Sequence, residues 1–155
     1  MKNSDETTSP HVLNILLADD DFDDCLLFTE ALKELQLQTK LRVVHDGDQL
    51  MQLLTKNTDE IFDVLFLDLN MPRKNGFRCL EEIKSSSKLK SLPVIILSTS
   101  FHQKDADMLY EKGAKYYISK PANFQKLRQV IQEMLSLVSE KNTLQTVKES
   151  SSVKV

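Results

Sequence analysis

Five short runs of bulky apolar residues recur along the chain, separated by polar and turn-forming positions. They are Leu13–Ala18, Leu41–Val44, Val64–Leu67, Val94–Leu97 and Tyr116–Ile118. The third and fourth runs are almost uninterrupted by polar residues, which is typical of strands covered on both faces of a sheet. The pattern therefore predicts five strands, with the third and fourth buried on both sides.

Between these runs, apolar residues recur at steps of three and four, the spacing of an amphipathic helix. This spacing covers Cys25–Leu35, Leu50–Leu54, Phe77–Ile83, a short polar stretch around Met108 and Leu109, and Phe124–Val138. The glycines lie at predicted junctions, and Gly113 fits the left-handed position that follows a helix. Strands that alternate with helices predict βαβ units, a parallel sheet and helices on both of its faces.

Composition and charge narrow the class of protein. The chain has 155 residues, of which 41% are hydrophobic and 28% charged, as in a single soluble globular domain. Its net charge of −3 argues against broad attraction to nucleic acid or to an anionic membrane. No apolar run reaches the roughly 18 residues of a membrane-spanning helix, and the N-terminus lacks the features of a secretory signal. Cys25 and Cys79 stand alone and form neither a disulfide framework nor a metal-binding spacing.

These features predict a cytoplasmic protein with one folded domain over residues 12–139. Residues 1–11 and 140–155 lack apolar periodicity, and we expect both ends to be flexible.

Polar side chains follow four of the predicted strands, at the edge where open parallel sheets bind ligands. They are Asp19, Asp20 and Asp21 after the first strand, Asp68 and Asn70 after the third, Ser98, Thr99 and Ser100 after the fourth, and Lys120 after the fifth. Carboxylates in close proximity repel one another, and a hard divalent cation such as Mg²⁺ removes that cost. Together with a lysine and a hydroxyl, this set predicts phosphoryl transfer with a carboxylate as the nucleophile.

In this order, the motifs resemble those of the receiver domain of two-component response regulators, over about residues 12–138. They are Ile15–Asp20, Asp68–Pro72 followed by Gly76, Pro93–Ser98 and Tyr117–Pro121. The resemblance implies a flavodoxin-like α/β fold, a doubly wound five-stranded parallel sheet in the order 2-1-3-4-5 with five helices. It also implies a single-domain response regulator, a phosphoprotein of phosphorelay signal transduction rather than an enzyme.

The resemblance further implies an acceptor and a metal site. Asp68 accepts a phosphoryl group from a histidine kinase or a histidine phosphotransfer protein. Asp19 and Asp20, with Asp68 and the backbone carbonyl of Asn70, hold Mg²⁺. Because the acidic run is three residues long, the pair Asp20 and Asp21 is the alternative. The apolar strand ends at Ala18 and favours the first pair, which leaves Asp23 or Asp24 to cap the first helix.

On the other side of the site, the resemblance implies that Lys120 and the Ser98 hydroxyl bind the phosphoryl oxygens. It suggests a cis peptide bond before Pro121 that helps to aim Lys120. The family more often has threonine at Ser98 and a smaller residue at Thr99.

A switch function follows from the same resemblance. The ring of Tyr117 moves as Ser98 is drawn toward the phosphoryl group, and the face of the fourth helix, fifth strand and fifth helix changes shape. We expect a downstream protein target for this face, no nucleic acid or membrane partner, and either a monomer or a weak homodimer through it.

Three other functions share parts of this pattern. An aspartate-nucleophile phosphatase of the haloacid dehalogenase type needs a second carboxylate two residues after Asp68, where this chain has Asn70. A flavodoxin-like nucleotide binder needs a phosphate-binding first loop, and the acidic run here repels phosphate. A degenerate receiver would act as an interaction module without phosphorylation, although here the acceptor, metal and phosphate-contact positions are all filled.

Overall fold

The structure, a computed structural model, describes residues 12–56, 59–99 and 102–139. Its strands are β1 (Leu13–Ala18), β2 (Thr39–Val44), β3 (Val64–Asp68), β4 (Val94–Ser98) and β5 (Tyr116–Ser119). They alternate with α1 (Phe22–Glu34), α2 (Gly47–Thr55), α3 (Gly76–Ser85), α4 (Gln103–Glu111) and α5 (Phe124–Ser139). The strands and helices predicted from the sequence are confirmed. The ends that the sequence predicts to be flexible, 1–11 and 140–155, lie outside the described residues, as does Ser100.

The strands form one parallel sheet in the order β2-β1-β3-β4-β5. This confirms the doubly wound sheet with the order 2-1-3-4-5. The chain moves outward from β1 to β2 and then crosses back to place β3 on the other side of β1, so the strand order reverses between β1 and β3. Ligands bind at the carboxyl ends of the strands at such a reversal.

The sheet separates two hydrophobic clusters because side chains on a strand alternate between its faces. On one face, Leu16, Leu65 and Ile96 pack against α2, α3 and α4. On the other, Leu17 and Phe66 pack against α1 and α5. Every residue of β3 and β4 is buried, which confirms that both strands are covered on both sides.

The first helix begins earlier than the sequence indicated. Asp21 is its N-cap, with φ −90° and ψ 111°, and its Oδ1 accepts a hydrogen bond from the backbone N–H of Asp24 at 3.0 Å. The predicted cap at Asp23 or Asp24 is therefore wrong. The extended Asp21 satisfies an orphan N–H of the first turn, so the helix starts at Phe22, whose exposed ring stacks on that of His45.

Two glycines have positions that other residues fit poorly. Gly113 follows α4 with φ +107°, the left-handed conformation predicted for it. At Gly76, a Cβ atom would lie 2.6 Å from the carbonyl oxygen of Asp68. The absence of that atom lets α3 begin directly against the end of β3, beside the acidic residues.

None of the helices in the described part of the chain is both long enough and apolar enough to cross a membrane.

Candidate functional site

Three carboxylates meet at the edge of the sheet where β1 and β3 end. Asp19 and Asp20 follow β1, Asp68 is the last residue of β3, and one oxygen from each lies within 4.8 Å of the others. Asp19 and Asp68 are only 2% and 5% exposed, whereas Asp20 is exposed. A set of hard oxygen donors that opens to solvent on one side fits a divalent cation that keeps part of its water shell.

Asp21, the alternative member of the acidic pair, has a different position. Its side chain caps α1, and its backbone N–H donates to Asp19 Oδ1 at 3.0 Å. The Asp19 backbone carbonyl lies 3.0 Å from His45 Nδ1. The structure thus places Asp19 and Asp20, rather than Asp21, with Asp68, and these backbone contacts fix the turn that follows β1.

Lys120 reaches this cluster from the end of β5. Its Nζ lies 2.8 Å from Asp19 Oδ2, 2.8 Å from Asp24 Oδ2 and 3.8 Å from Asp68 Oδ2. Burial on its own lowers the pKa of Lys120, but the hydrogen bonds to Asp19 and Asp24 and the nearby negative charges outweigh it and raise that pKa above its usual range. The ammonium group is therefore protonated and is shared among three carboxylates.

The expected cis peptide bond before Pro121 is wrong, because the described residues contain no cis peptide bond. Trans is the favoured form even before proline. Lys120 is oriented instead by its backbone N–H, which donates to the carbonyl of Ser98 at 2.6 Å, and by the carboxylates that its side chain contacts.

Asp24 is the site residue that sequence reasoning missed as a partner of Lys120. An acidic residue in the first turn of a helix has an ordinary explanation, its attraction to the positive end of the helix dipole. Its spacing contained a further signal, because Asp24 lies four residues before Phe28, a buried residue of the same helix. Residues four apart share a helix face, so Asp24 could have been placed on the side of α1 that faces the sheet.

The carboxyl group of Asp68 is held in an unfavourable environment for a negative charge. Burial raises its pKa from the ordinary 3.8 to about 7; Lys120 opposes this increase and Asp19 adds to it. The backbone N–H of Asn70 donates to Asp68 Oδ1 at 3.3 Å and favours the ionised form only weakly. Additional positive charge near Asp68 would therefore relieve a real electrostatic cost.

The remaining predicted residues lie on β4 and β5 or directly after β4. Ser98, the last residue of β4, is 2% exposed. Because Asp68 pairs with Leu97 in the sheet, Ser98 lies one position further toward the edge, and Thr99 beyond it is exposed. Tyr117 lies in β5, is 1% exposed, and its side chain belongs to the cluster packed against α4.

Comparison with known proteins agrees with this geometry. The model of the response regulator receiver domain matches residues 15–132. Response regulator Rcp1 of Synechocystis sp. is 34% identical over 145 residues, which cover 91% of this chain and 97% of Rcp1.

Two solved structures of similar proteins extend the comparison. The Mn²⁺-bound form of Rcp1 superposes with a TM-score of 0.72 at 33% identity, covering 82% of this chain and 93% of that one. The phosphorylated cyanobacterial phytochrome response regulator RcpA gives a TM-score of 0.77 at 32% identity, covering 84% of this chain and 96% of that one. The fold, the order of the motifs and these similarities together show that this chain belongs to the response regulator receiver domain family, whose members are signalling switches.

Proposed function

We propose that this chain is a phosphorylation-dependent switch in which the Asp68 carboxylate accepts a phosphoryl group. The observation that supports this most directly is the position of Asp68, buried at a strand end with two carboxylates and a protonated lysine around it. A carboxylate oxygen forms the new O–P bond, the P–N bond of a phosphohistidine donor breaks, and the donor nitrogen keeps the electron pair. A histidine kinase or a histidine phosphotransfer protein has that donor chemistry.

We propose Mg²⁺ as the metal, held by Asp19, Asp20, Asp68 and the backbone carbonyl of Asn70. The donor set fits, since it consists of carboxylate and carbonyl oxygens and Asp68 is destabilised as an anion. The Mn²⁺-bound form of Rcp1, a relative with 33% identity, supports a divalent ion at such a site. Such an ion supplies positive charge that offsets the repulsion between the carboxylates and the incoming phosphoryl oxygens.

Lys120 and Ser98 supply the remaining contacts to the phosphoryl group. In the structure, Lys120 Nζ is closer to Asp19 and Asp24 than to Asp68. A phosphoryl group on Asp68 brings new anionic oxygens to within reach of this ammonium and competes with Asp24 for it. The buried Ser98 hydroxyl at the neighbouring strand end donates to the same group.

The output is a change in the surface formed by α4, β5 and α5, which we call the switch face. Tyr117 connects the site to this face because it lies in β5 and shares a buried cluster with residues of α4. We propose that a downstream protein binds the switch face, and that the chain is a monomer or a weak homodimer through it. We further propose that the receiver domain spans residues 12–139 and works in the cytoplasm without nucleic acid or membrane partners.

The other functions fit the geometry less well. A haloacid dehalogenase-type phosphatase would need an acid two residues after Asp68, but Asn70 stands there and contributes its backbone N–H to Asp68. A nucleotide binder would need hydrogen-bond donors where Asp19 and Asp20 present carboxylates. A degenerate receiver would not need the acidic cluster and Lys120 to remain together.

The proposed function predicts that acetyl phosphate with Mg²⁺ adds one phosphoryl group to the protein, measured by intact mass. Asp68→Asn should abolish this increase, since the amide is not a nucleophile, and chelation of the metal should suppress it. Asp59→Asn, which changes an exposed carboxylate before β3, is the matched control and should label like the wild type. Labelling of Asp68→Asn at the wild-type rate would contradict the assignment of the acceptor, and steady turnover of a phosphate ester would favour the phosphatase.

A further inference from the structure

A tyrosine of α4 holds the backbone of β5. The hydroxyl oxygen of Tyr110 accepts a hydrogen bond from the backbone N–H of Tyr117 at 3.1 Å. In the described sheet, β5 is an edge strand paired with β4 alone. The side chain of Tyr117 is also buried in the cluster packed against α4. The main chain of Tyr117 is therefore bonded directly to α4, and its side chain shares a buried cluster with Ala106 and Leu109 of that helix.

Contacts with other parts of the chain hold the C-terminal end of α4. At the C-terminal end, the backbone N–H of Gly113 donates to Tyr110 and that of Ala114 donates to Leu109, both at 3.0 Å. Lys112 Nζ also pairs with Glu81 of α3 at 2.6 Å. At the N-terminal end, the cap residue His102 makes no capping hydrogen bond with its side chain within the described residues.

We propose that Tyr110 is a positioning residue for the switch, a pin that fixes the C-terminal end of α4 to β5. This inference rests on the proposed phosphorylation of Asp68 and extends it. The segment after Ser98 leads into the N-terminal end of α4, so a change at the phosphoryl group reaches that end of the helix first. With the C-terminal end pinned, the N-terminal half of α4 moves and the Tyr117 ring turns beneath it, while the Tyr117 backbone stays in place.

The test compares Tyr110→Phe with Tyr116→Phe and the wild type by residue-resolved amide hydrogen exchange, with and without acetyl phosphate and Mg²⁺. Both variants remove one hydroxyl and keep the ring. Tyr116 is the matched control because it is the neighbouring tyrosine of β5, and its hydroxyl is not the acceptor of the Tyr117 N–H. Intact mass, measured on the same samples, reports phosphorylation separately.

In the wild type, phosphorylation should change the amide exchange rates of Gln103–Asp107. The exchange rate of the Tyr117 N–H should change by less than about 2-fold, which is less than the loss of one hydrogen bond would cause. In unphosphorylated Tyr110→Phe, the Tyr117 N–H should exchange roughly 2- to 12-fold faster, the range for one lost hydrogen bond. When this variant is phosphorylated, the change in exchange rates should extend beyond Gln103–Asp107 into Met108–Glu111. If the role of Tyr110 were purely structural, the substitution would raise the exchange rate of the Tyr117 N–H equally in the unphosphorylated and the phosphorylated protein. Phosphorylation would then affect the same residues of α4 in the variant as in the wild type.

The outcomes separate the two proposals. The positioning role of Tyr110 is refuted if the wild type gains mass but its exchange rates change along all of α4. It is also refuted if Tyr110→Phe responds to phosphorylation as Tyr116→Phe does. In both cases the assignment of Asp68 as the acceptor stands. If the wild type gains no mass, the proposed function fails, and the switch role of Tyr110 fails with it.

Discussion

A buried carboxyl group that must ionise in order to react opposes the stability of the fold. The raised pKa of Asp68, about 7 against an ordinary 3.8, means that the folded state binds the proton more tightly than the unfolded state. The stability associated with that proton is fully present below about pH 3.8 and is lost as the pH rises through 7. Asp68 therefore destabilises the metal-free protein most at alkaline pH.

From this we predict that Asp68→Asn stabilises the protein in the presence of a chelator at pH 8, by on the order of 2 kcal/mol. The amide has the same shape and cannot ionise, so the gain should be smaller at pH 5.5, where Asp68 is protonated in the folded state. Urea unfolding of the wild type and variant at both pH values measures the difference. A variant less stable than the wild type at pH 8 would show that Lys120 already neutralises Asp68.

At the scale of single residues, the sequence predicted side chains whose position is set by a strand end. Asp19 and Asp68 come directly after an apolar run, and Lys120 comes two residues after one, so the parallel sheet brings them to one edge. Asp24 was missed as a contact of Lys120 because its position depends on how α1 rotates over the sheet. The helix cap was misplaced for a related reason, since each of several neighbouring aspartates has the chemistry of a cap and local geometry selects one.

At the scale of elements, the order of strands and helices followed from hydrophobic pattern, while the junctions depended on close contacts that pattern does not contain. The apolar runs Val64–Leu67 and Val94–Leu97 predicted β3 and β4 almost to the residue, because both strands are buried on both faces. The isomer of the bond before Pro121 could not be obtained in the same way. Hydrogen bonds to Ser98 and to the acidic residues orient Lys120 with the bond trans.

The junction between β3 and α3 gives a prediction that separates the site from the fold. In Gly76→Ala, the new Cβ would lie 2.6 Å from the Asp68 carbonyl oxygen, so the end of β3 or the start of α3 must shift. We expect a loss of roughly 1–3 kcal/mol in stability, together with weaker Mg²⁺ binding. Chemical denaturation and metal titration followed by calorimetry measure the two effects.

Gly113→Ala is the matched control for this substitution. It places a side chain on a residue with φ +107°, after α4 and away from the acidic cluster, where a Cβ would meet the flexible Lys84 side chain. It should cost about 1–2 kcal/mol because L-residues disfavour the left-handed conformation, and should leave Mg²⁺ affinity unchanged. Equal effects of both substitutions on metal binding would mean that Gly76 acts through general stability rather than through the position of Asp68.

At the scale of the whole molecule, the candidate metal site joins parts of the chain that are far apart in sequence. Asp19 and Asp20 follow β1, and Asp68 ends β3, with α1, β2 and α2 between them in the chain. An unfolded chain does not hold these carboxylates together, so an ion that binds them binds the folded state selectively. Metal binding, proton binding at Asp68 and global stability are therefore linked.

The linkage predicts that Mg²⁺ stabilises the protein against thermal unfolding in a pH-dependent way. At 100 times its dissociation constant the ion should add about 2.7 kcal/mol at pH 8. At pH 5.5 the gain should be much smaller, because Asp68, whose pKa is about 7, must lose its proton to bind the ion. Asp20→Asn should reduce the stabilisation by Mg²⁺ at pH 8. It should leave the metal-free Tm nearly unchanged, since Asp20 is exposed. The control Asp59→Asn should change neither the stabilisation by Mg²⁺ nor the metal-free Tm. A stabilisation by Mg²⁺ that is the same at both pH values would show that the ion binds somewhere other than at the carboxylates between β1 and β3.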